Sequence, residues 1–392
     1  MNAGMRGMIT ADIITAKRRT VIKIAFTGGG TGGHIYPALA VIAALKEISN
    51  PDIFWIGQKT GMDKSIVEAA GLRFYGISAG KLRRYFSLRN IADIFNIIRG
   101  FIEARKILAK EMPALLFSKG GFVSVPPVIA AASLKISVHT HESDVSPGLA
   151  TKINTFFAER VWTAYEKTEL FFKPQFRKKV RRCGNPVRSV FLEANALRGR
   201  IFLEKKAGQT IPEDKKILLV LGGSQGAKEI NDLVTACLGD FTKYFFVVHQ
   251  TGYVLGDTDT SPAGNVSKNY LPLAYMKDEL PDVLAAAHLV LGRSGAGTVW
   301  EAAAAGVPML LIPLCGSGTR GDQVENARYF TGEGAALMLI HPKPEELMQT
   351  ILDLIKDENG LAALAAASKR AGKPDAAKII ADEICLKFDM NV

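Results

Sequence analysis

The chain has 392 residues, which at roughly 150 residues per domain suggests two or three domains. Hydrophobic residues make up 48% and charged residues 22%, an ordinary balance for a globular protein able to bury sizeable cores. The four cysteines, Cys183, Cys237, Cys315 and Cys385, form no CxxC pair, which argues against a zinc or iron–sulfur site and for a reducing compartment. The net charge of +11 is unevenly spread. Residues 1–200 hold 31 Lys and Arg against 14 Asp and Glu, or +17; residues 201–392 hold 18 against 24, or −6.

Residues 1–20 contain Asp12, Lys17, Arg18 and Arg19 and no apolar core ahead of a small-residue cleavage site, so no secretory signal is expected. Val21–Phe26 reads as a buried strand that runs into Thr27-Gly28-Gly29-Gly30-Thr31-Gly32-Gly33-His34 and then a helix over Pro37–Glu47. Gly28, Gly30 and Gly33 formally match GxGxxG. A dinucleotide site also wants an acid at the end of the second strand. That strand, Ile53–Ile56, is followed by Gly57-Gln58-Lys59 and fails the test.

Residues 80–110 mix basic residues, among them Lys81, Arg83, Arg84 and Arg89, with Tyr85, Phe86, Ile94, Phe95, Ile98 and Phe101. Arg83, Arg84, Tyr85 and Phe86 are expected to face anionic lipid, being too basic and too short a run for a core helix. The helical spacing of Ile94, Ile98 and Phe101 favours burial in their own domain. Gly120–Leu134, with Pro126-Pro127, is too short to span a bilayer and reads as a loop and a buried helix. Further strands are expected at Ala114–Phe117, Val138–His141 and Arg160–Thr163.

The pattern then restarts. Ile217–Leu221 runs into Gly222-Gly223-Ser224-Gln225-Gly226-Ala227-Lys228, followed by strands at Tyr244–Gln250, Leu289–Leu291 and Pro308–Ile312. The second turn lacks GK[ST], so it is not a Walker loop, though its amides and Ser224 suit a phosphate. A third small-residue turn, Gly292 to Thr298, opens a helix carrying Glu301, either a solvated helix-start carboxylate or an acceptor for two ribose hydroxyls. The expected architecture is α/β, two Rossmann-like domains with parallel sheets facing a central cleft.

These blocks together resemble the MurG family of N-acetylglucosaminyltransferases. The resemblance runs through Gly28–His34 with Pro37–Ala40, Ser118–Ser124, His141–Asp144, Gly184–Arg188, Gly222–Ala227, Arg293–Glu301 and Asp322–Ala327, in family order. It implies a GT-B fold, with a first domain over residues 1–186, a donor domain over 187–374 and a C-terminal helix at about 375–392 returning to the first. It implies inverting transfer from UDP-N-acetylglucosamine to the 4-hydroxyl of the muramoyl sugar of lipid I, giving lipid II, with no metal or other cofactor. The place would be the cytoplasmic face of the cell membrane, with no nucleic-acid partner.

Carried over residue by residue, His34 would be the base, and Glu142 would hold the acceptor or orient His34, or serve as a structural cap. Thr31, Gly32, Gly33, Ser224, Arg188 and the amides of Ala296, Gly297 and Thr298 would take the diphosphates. Glu301 would bind the ribose, Gln323 the sugar and the backbone near Lys277 the uracil; His141, Asp144, Val299 and Trp300 complete the expected substrate-binding set. Ser143 and Asp144 stand where many members have Gln and Asn, and Phe122 where some have Tyr. An ionised Asp144 cannot donate as an amide would. Competing readings are a diacylglycerol glycosyltransferase of the same fold, a UDP-sugar epimerase and a basic nucleic-acid adaptor. The last gives no reason for three glycine-rich turns.

Overall fold

The structure, a computed structural model, describes residues 21–80, 89–223, 226–252, 268–316, 319–373 and 375–390. The first half alternates strand and helix. It comprises β1 (Lys23–Thr27), α1 (Tyr36–Ile48), β2 (Asp52–Gln58), α2 (Met62–Ala69), β3 (Arg73–Ile77), α3 (Arg89–Glu111), β4 (Leu115–Ser118), α4 (Val125–Ser133), β5 (Ser137–Glu142), α5 (Leu149–Phe157), β6 (Arg160–Thr163), α6 (Pro174–Arg177) and β7 (Val180–Arg182). After α7 (Ala196–Ala207) the second half has β8 (Lys216–Leu221), α8 (Lys228–Tyr244), β9 (Phe245–Gln250), β10 (Tyr270–Leu273), α9 (Leu280–Ala286), β11 (Leu289–Gly292), α10 (Ala296–Ala305), β12 (Met309–Leu311), α11 (Asp322–Gly332) and β13 (Ala336–Met338). Three helices follow, α12 (Pro344–Lys356), α13 (Glu358–Ala371) and α14 (Ala376–Lys387).

The first sheet has strand order β3-β2-β1-β4-β5-β6-β7 and the second β10-β9-β8-β11-β12-β13. Every strand pair is parallel. Continuous apolar strands such as Ile217–Leu221 form because helices cover both faces. In each sheet the order reverses beside the first strand, between β1 and β4 and between β8 and β11. Crevices at such switch points, beyond the carboxyl ends of the strands, are where ligands bind in this architecture.

Two packing features join the halves. Val145, Ala164 and Tyr165, from loops of the first sheet, are buried in the same apolar cluster as Trp300 and Phe330 of the second. At the chain end, Ile380, Ala381, Ile384 and Cys385 of α14 pack with Val41 and Leu45 of α1 in the first domain's core.

At the surface one expectation holds and one changes. Among the described residues no helix is long and apolar enough to cross a membrane. Ile94 and Ile98 do not pack inward: they are 49% and 51% exposed and share a face of α3 with the exposed Phe95 and Ile102. Of the three expected inside, only Phe101, at the border of the stripe with the inward face, packs against the core. The reason is that α3 has another inward face, Gly100, Ala104 and Leu108, so the Ile94–Ile98–Ile102 stripe is left over. Arg83, Arg84, Tyr85 and Phe86 lie outside the described residues.

Candidate functional site

The two switch points face each other across a cleft with a cavity of about 720 Å³. Its first wall starts with the glycine turn after β1. Gly30 N donates to Asp63 Oδ1 at 3.1 Å, and Asp63 is 1% exposed. The acid beyond β2 therefore exists, on α2, but it braces the turn and is not left for a ribose. Gly30 adopts φ +88°, and a Cβ there would lie 2.8 Å from the Phe122 ring. Thr31, Gly32 and Gly33 line the cleft where the chain turns into α1.

His34 follows. Its Nδ1 lies 3.3 Å from the Lys119 carbonyl, which only accepts, so Nδ1 carries the proton and Nε2 is the basic nitrogen. Burial, then the Lys119 charge, lower its pKa to about 4, so the ring is neutral at physiological pH. Gly121, at φ +78°, brings the turn after β4 against the His34 ring.

Lys119 is fully buried and its ammonium donates to Ser143 Oγ, which donates to Asn185 Oδ1 at 2.6 Å. A hydroxyl at position 143 thus passes one hydrogen bond onward from a lysine.

The loop after β5 is where the expectations need most correction. Glu142 does not hydrogen-bond His34: its Oε1 accepts from Asp144 N and its Oε2 from Gly148 N, both at 3.0 Å. It lines the cleft but is committed to capping its own loop. His141 does not reach the cleft, because its Nε2 turns away to donate to the Gly184 carbonyl at 3.0 Å. Successive strand residues point to opposite faces, so the pair could not both do so. Asp144 stays in the cleft as an acceptor, with Arg320 Nη2 at 2.8 Å and Asn326 Nδ2 at 3.0 Å.

The second wall is built on α10. Ala296, Gly297 and Thr298 open the helix after Gly295 and turn their first-turn amides to the cleft. Glu301 lines it one turn on, with its pKa raised by burial from the usual 4.5 to about 7 and drawn down in part by Arg188. Val299 and Trp300 do not line it. Both are fully buried, and Trp300 Nε1 donates to Tyr165 Oη at 2.9 Å, so their side chains are core on the far face of the helix. Ser224 lies outside the described residues; its neighbour Gly223 lines the cleft at φ +84°.

Arg188 stacks its guanidinium between Tyr36 and Phe191, 4.7 and 5.0 Å from the ring centres. Its buried Nε has no hydrogen-bond partner among the described residues, an unsatisfied donor beside the cleft. Gln323 lines the wall with its Oε1 taken by Leu314 N at 3.0 Å. Lys277 is also on the cleft. The loop carrying it is held by Gln250, whose Oε1 accepts from Met276 N at 2.9 Å. Gln250, Tyr275, Asp63 and Arg320 were not singled out from sequence. Each acts through a partner distant in the chain, which leaves no local signal. Among the described residues no group of three His, Cys, Asp or Glu side chains is placed to hold a metal.

Comparison with known proteins now bears on this geometry. Residues 24–163 match the glycosyltransferase family 28 N-terminal domain and residues 217–380 its C-terminal domain. The chain belongs to glycosyltransferase family 28, in its MurG group. A Treponema pallidum relative is 48% identical over 320 residues, 81% of this chain and 82% of its own. That relative is named UDP-N-acetylglucosamine–N-acetylmuramyl-(pentapeptide) pyrophosphoryl-undecaprenol N-acetylglucosamine transferase.

Among solved structures, Acinetobacter baumannii MurG superposes with a TM-score of 0.69 at 23% identity, covering 93% of this chain and 99% of that one. A Neisseria meningitidis UDP-GlcNAc 2-epimerase bound to UDP-GlcNAc gives 0.65 at 16% identity, covering 93% and 99%. The fold alone therefore does not separate transferase from epimerase; membership of family 28 does.

Proposed function

We infer that the protein transfers N-acetylglucosamine from UDP-N-acetylglucosamine to the 4-hydroxyl of the muramoyl sugar of lipid I, giving lipid II. The observation that carries this is His34. Its tautomer is fixed by the Lys119 carbonyl, and it faces, in a family-28 cleft, a helix N-terminus and a ribose-ready Glu301.

In this reading Glu301 accepts both ribose hydroxyls, Gln323 binds the sugar, the backbone at Lys277 reads the uracil, and the α10 amides with Arg188 hold the diphosphate. The acceptor hydroxyl gives its proton to His34 Nε2 while its oxygen bonds to the anomeric carbon from the face opposite the diphosphate. The bond from that carbon to the diphosphate oxygen breaks, UDP takes the electron pair, and the configuration inverts. The acceptor hydroxyl becomes strongly acidic as its oxygen bonds to the anomeric carbon, so a His34 of pKa about 4 takes the proton as that bond forms. Fixed N–H donors and Arg188 supply the charge stabilisation, so the reaction is proposed to need no metal or other cofactor.

The exposed Ile94, Phe95, Ile98 and Ile102 are proposed to lie on the inner face of the cytoplasmic membrane, as a peripheral contact presenting the first domain to the lipid acceptor. Incubation with sugar-labelled UDP-N-acetylglucosamine and a lipid I analogue tests the reading. Labelled disaccharide lipid is expected; an epimerised sugar nucleotide, or transfer only to diacylglycerol, would overturn it.

A further inference from the structure

The loop after β5 and the start of α11 belong to different domains, yet they are tied together by charge and hydrogen bonds. Arg320 Nη2 donates to Asp144 Oδ2 at 2.8 Å and to Asp322 Oδ2 at 2.5 Å. Asn326, fully buried one turn along α11, donates through Nδ2 to Asp144 Oδ1 at 3.0 Å. Its Oδ1 accepts from Val145 N at 3.1 Å, and its Nδ2 also reaches the Ser294 carbonyl at 3.2 Å. Glu142 clamps the same loop from within the first domain. Gln323 stands on α11 between Asp322 and Asn326.

Three carboxylates, Glu142, Asp144 and Asp322, thus surround one guanidinium at the edge of a cleft that must admit anionic substrates. Arg320 lies over Gly148, where a Cβ would come within 2.8 Å of its Nη1. Without it, Asp144 and Asp322 repel each other across the domain boundary, and among the described residues the loop is held to α11 by Asn326 alone.

We propose that Arg320 is a positioning residue for the transfer, holding Asp144 and Asp322 together so that the acceptor-side loop and the Gln323 turn keep one fixed separation. It acts through Asp144, which joins the two domains as an acceptor rather than as the donor an amide would be. The proposal rests on the transferase reading for its kinetic consequence and on the ion pair alone for its structural one.

The test compares Arg320→Gln, Arg320→Lys, Asp144→Asn and the double variant Arg320→Gln with Asp144→Asn. Arg320→Gln is expected to lower kcat by on the order of tenfold or more, since misplacement by an ångström costs that much. Its UDP affinity by calorimetry should stay within about twofold of wild type, because the latch is outside the Glu301 site. Arg320→Lys should recover part of kcat, and the double variant should turn over faster than Arg320→Gln, since it removes the uncompensated charge. Hydrogen exchange over residues 142–149 and 319–327 should quicken in Arg320→Gln while that of α1 and α14 is unchanged.

A kcat within about twofold of wild type in Arg320→Gln would overturn the proposal. So would simply multiplied losses in the double variant, or a loss of UDP affinity matching the loss of kcat. Failure of the wild type to make disaccharide lipid sinks the transferase reading only; unchanged exchange over both segments then sinks the latch.

Discussion

Glu301 offers a prediction whose size comes from its surroundings. Burial raises its carboxyl from 4.5 to about 7, and no cation lies within salt-bridge distance among the described residues. Accepting two ribose hydroxyls requires the ionised form, so donor affinity must rise with pH as Glu301 loses its proton. About one site in ten is ionised at pH 6 and about three in four at pH 7.5, an affinity gain of about eightfold, or about 1.2 kcal/mol.

His34 and His249, both lowered to about 4, and His141, lower than usual, do not titrate in that window. Lys119, lowered to about 8, begins to lose its charge only at the upper edge. The sugar nucleotide is the right ligand because its diphosphate, esterified at both ends, keeps its charge there. Titration calorimetry of UDP-N-acetylglucosamine at several pH values, in two buffers of different ionisation enthalpy, should show proton release on binding.

Glu301→Gln should bind more weakly at pH 7.5 and lose the pH dependence. Stability should move the other way. The folded state holds the Glu301 proton in a range where the unfolded chain has lost it, so this contribution is full below pH 4.5 and is lost as pH rises through about 7. The ceiling is about 3 kcal/mol, and solvent entering the cleft reduces it to about 1–2 kcal/mol. Glu301→Gln should therefore melt higher than wild type at pH 8 without ligand. A flat wild-type affinity profile between pH 6 and 7.5 would refute the reasoning.

Three further expectations follow from other parts of the molecule. His34→Ala should lower kcat by about 10²–10⁴ while leaving UDP-N-acetylglucosamine affinity near wild type; turnover within tenfold of wild type would remove the base assignment. Ile384→Ala empties a fully buried site between α14 and α1 and should cost about 2–5 kcal/mol, read from the urea midpoint. A cost below about 0.5 kcal/mol would mean that α14 contributes little to the first domain's core. Phe95→Glu combined with Ile98→Glu, on the exposed face of α3, should abolish sedimentation with anionic vesicles while the melting temperature stays put. Undiminished sedimentation would place the lipid contact elsewhere.

What could be read from the chain follows a physical boundary. The strands recognised from apolar runs, β1, β2, β4, β5, β6, β8, β9, β11 and β12, are the interior ones, covered on both faces. The four that escaped, β3, β7, β10 and β13, are the four sheet edges. Val180–Arg182 at one edge exposes two arginines and carries a single apolar residue, so it has no run to detect. The glycine turns were legible because strand, turn and helix are adjacent in sequence.

The α10 face was legible in principle. Positions 297, 298 and 301 fall on one side of a 3.6-residue period, while 299, 300 and 303 fall on the other, and these last are buried. Taking Val299 and Trp300 as ligand contacts ignored that period. The pairs Asp63–Gly30, Trp300–Tyr165 and Arg320–Asp144 were not legible, because each forms only when distant segments meet.

The charge split bears directly on how an anion is bound. The second half of the chain is net −6, yet it carries the proposed diphosphate site. The cleft resolves the conflict by occupying its acids: Glu142 by two backbone amides, Asp144 and Asp322 by Arg320, and Glu301 by a raised pKa that leaves it half protonated near neutrality. Left facing an anion are the α10 N-terminus, Lys277 and the unsatisfied Nε of Arg188, whose guanidinium is stacked between Tyr36 and Phe191. The local field is thus set by which carboxylates are tied up, and the net charge of a domain predicts neither its sign nor its ligand. The +17 half is the one proposed to meet an anionic bilayer, and toward such a surface charges would act by number rather than by placement.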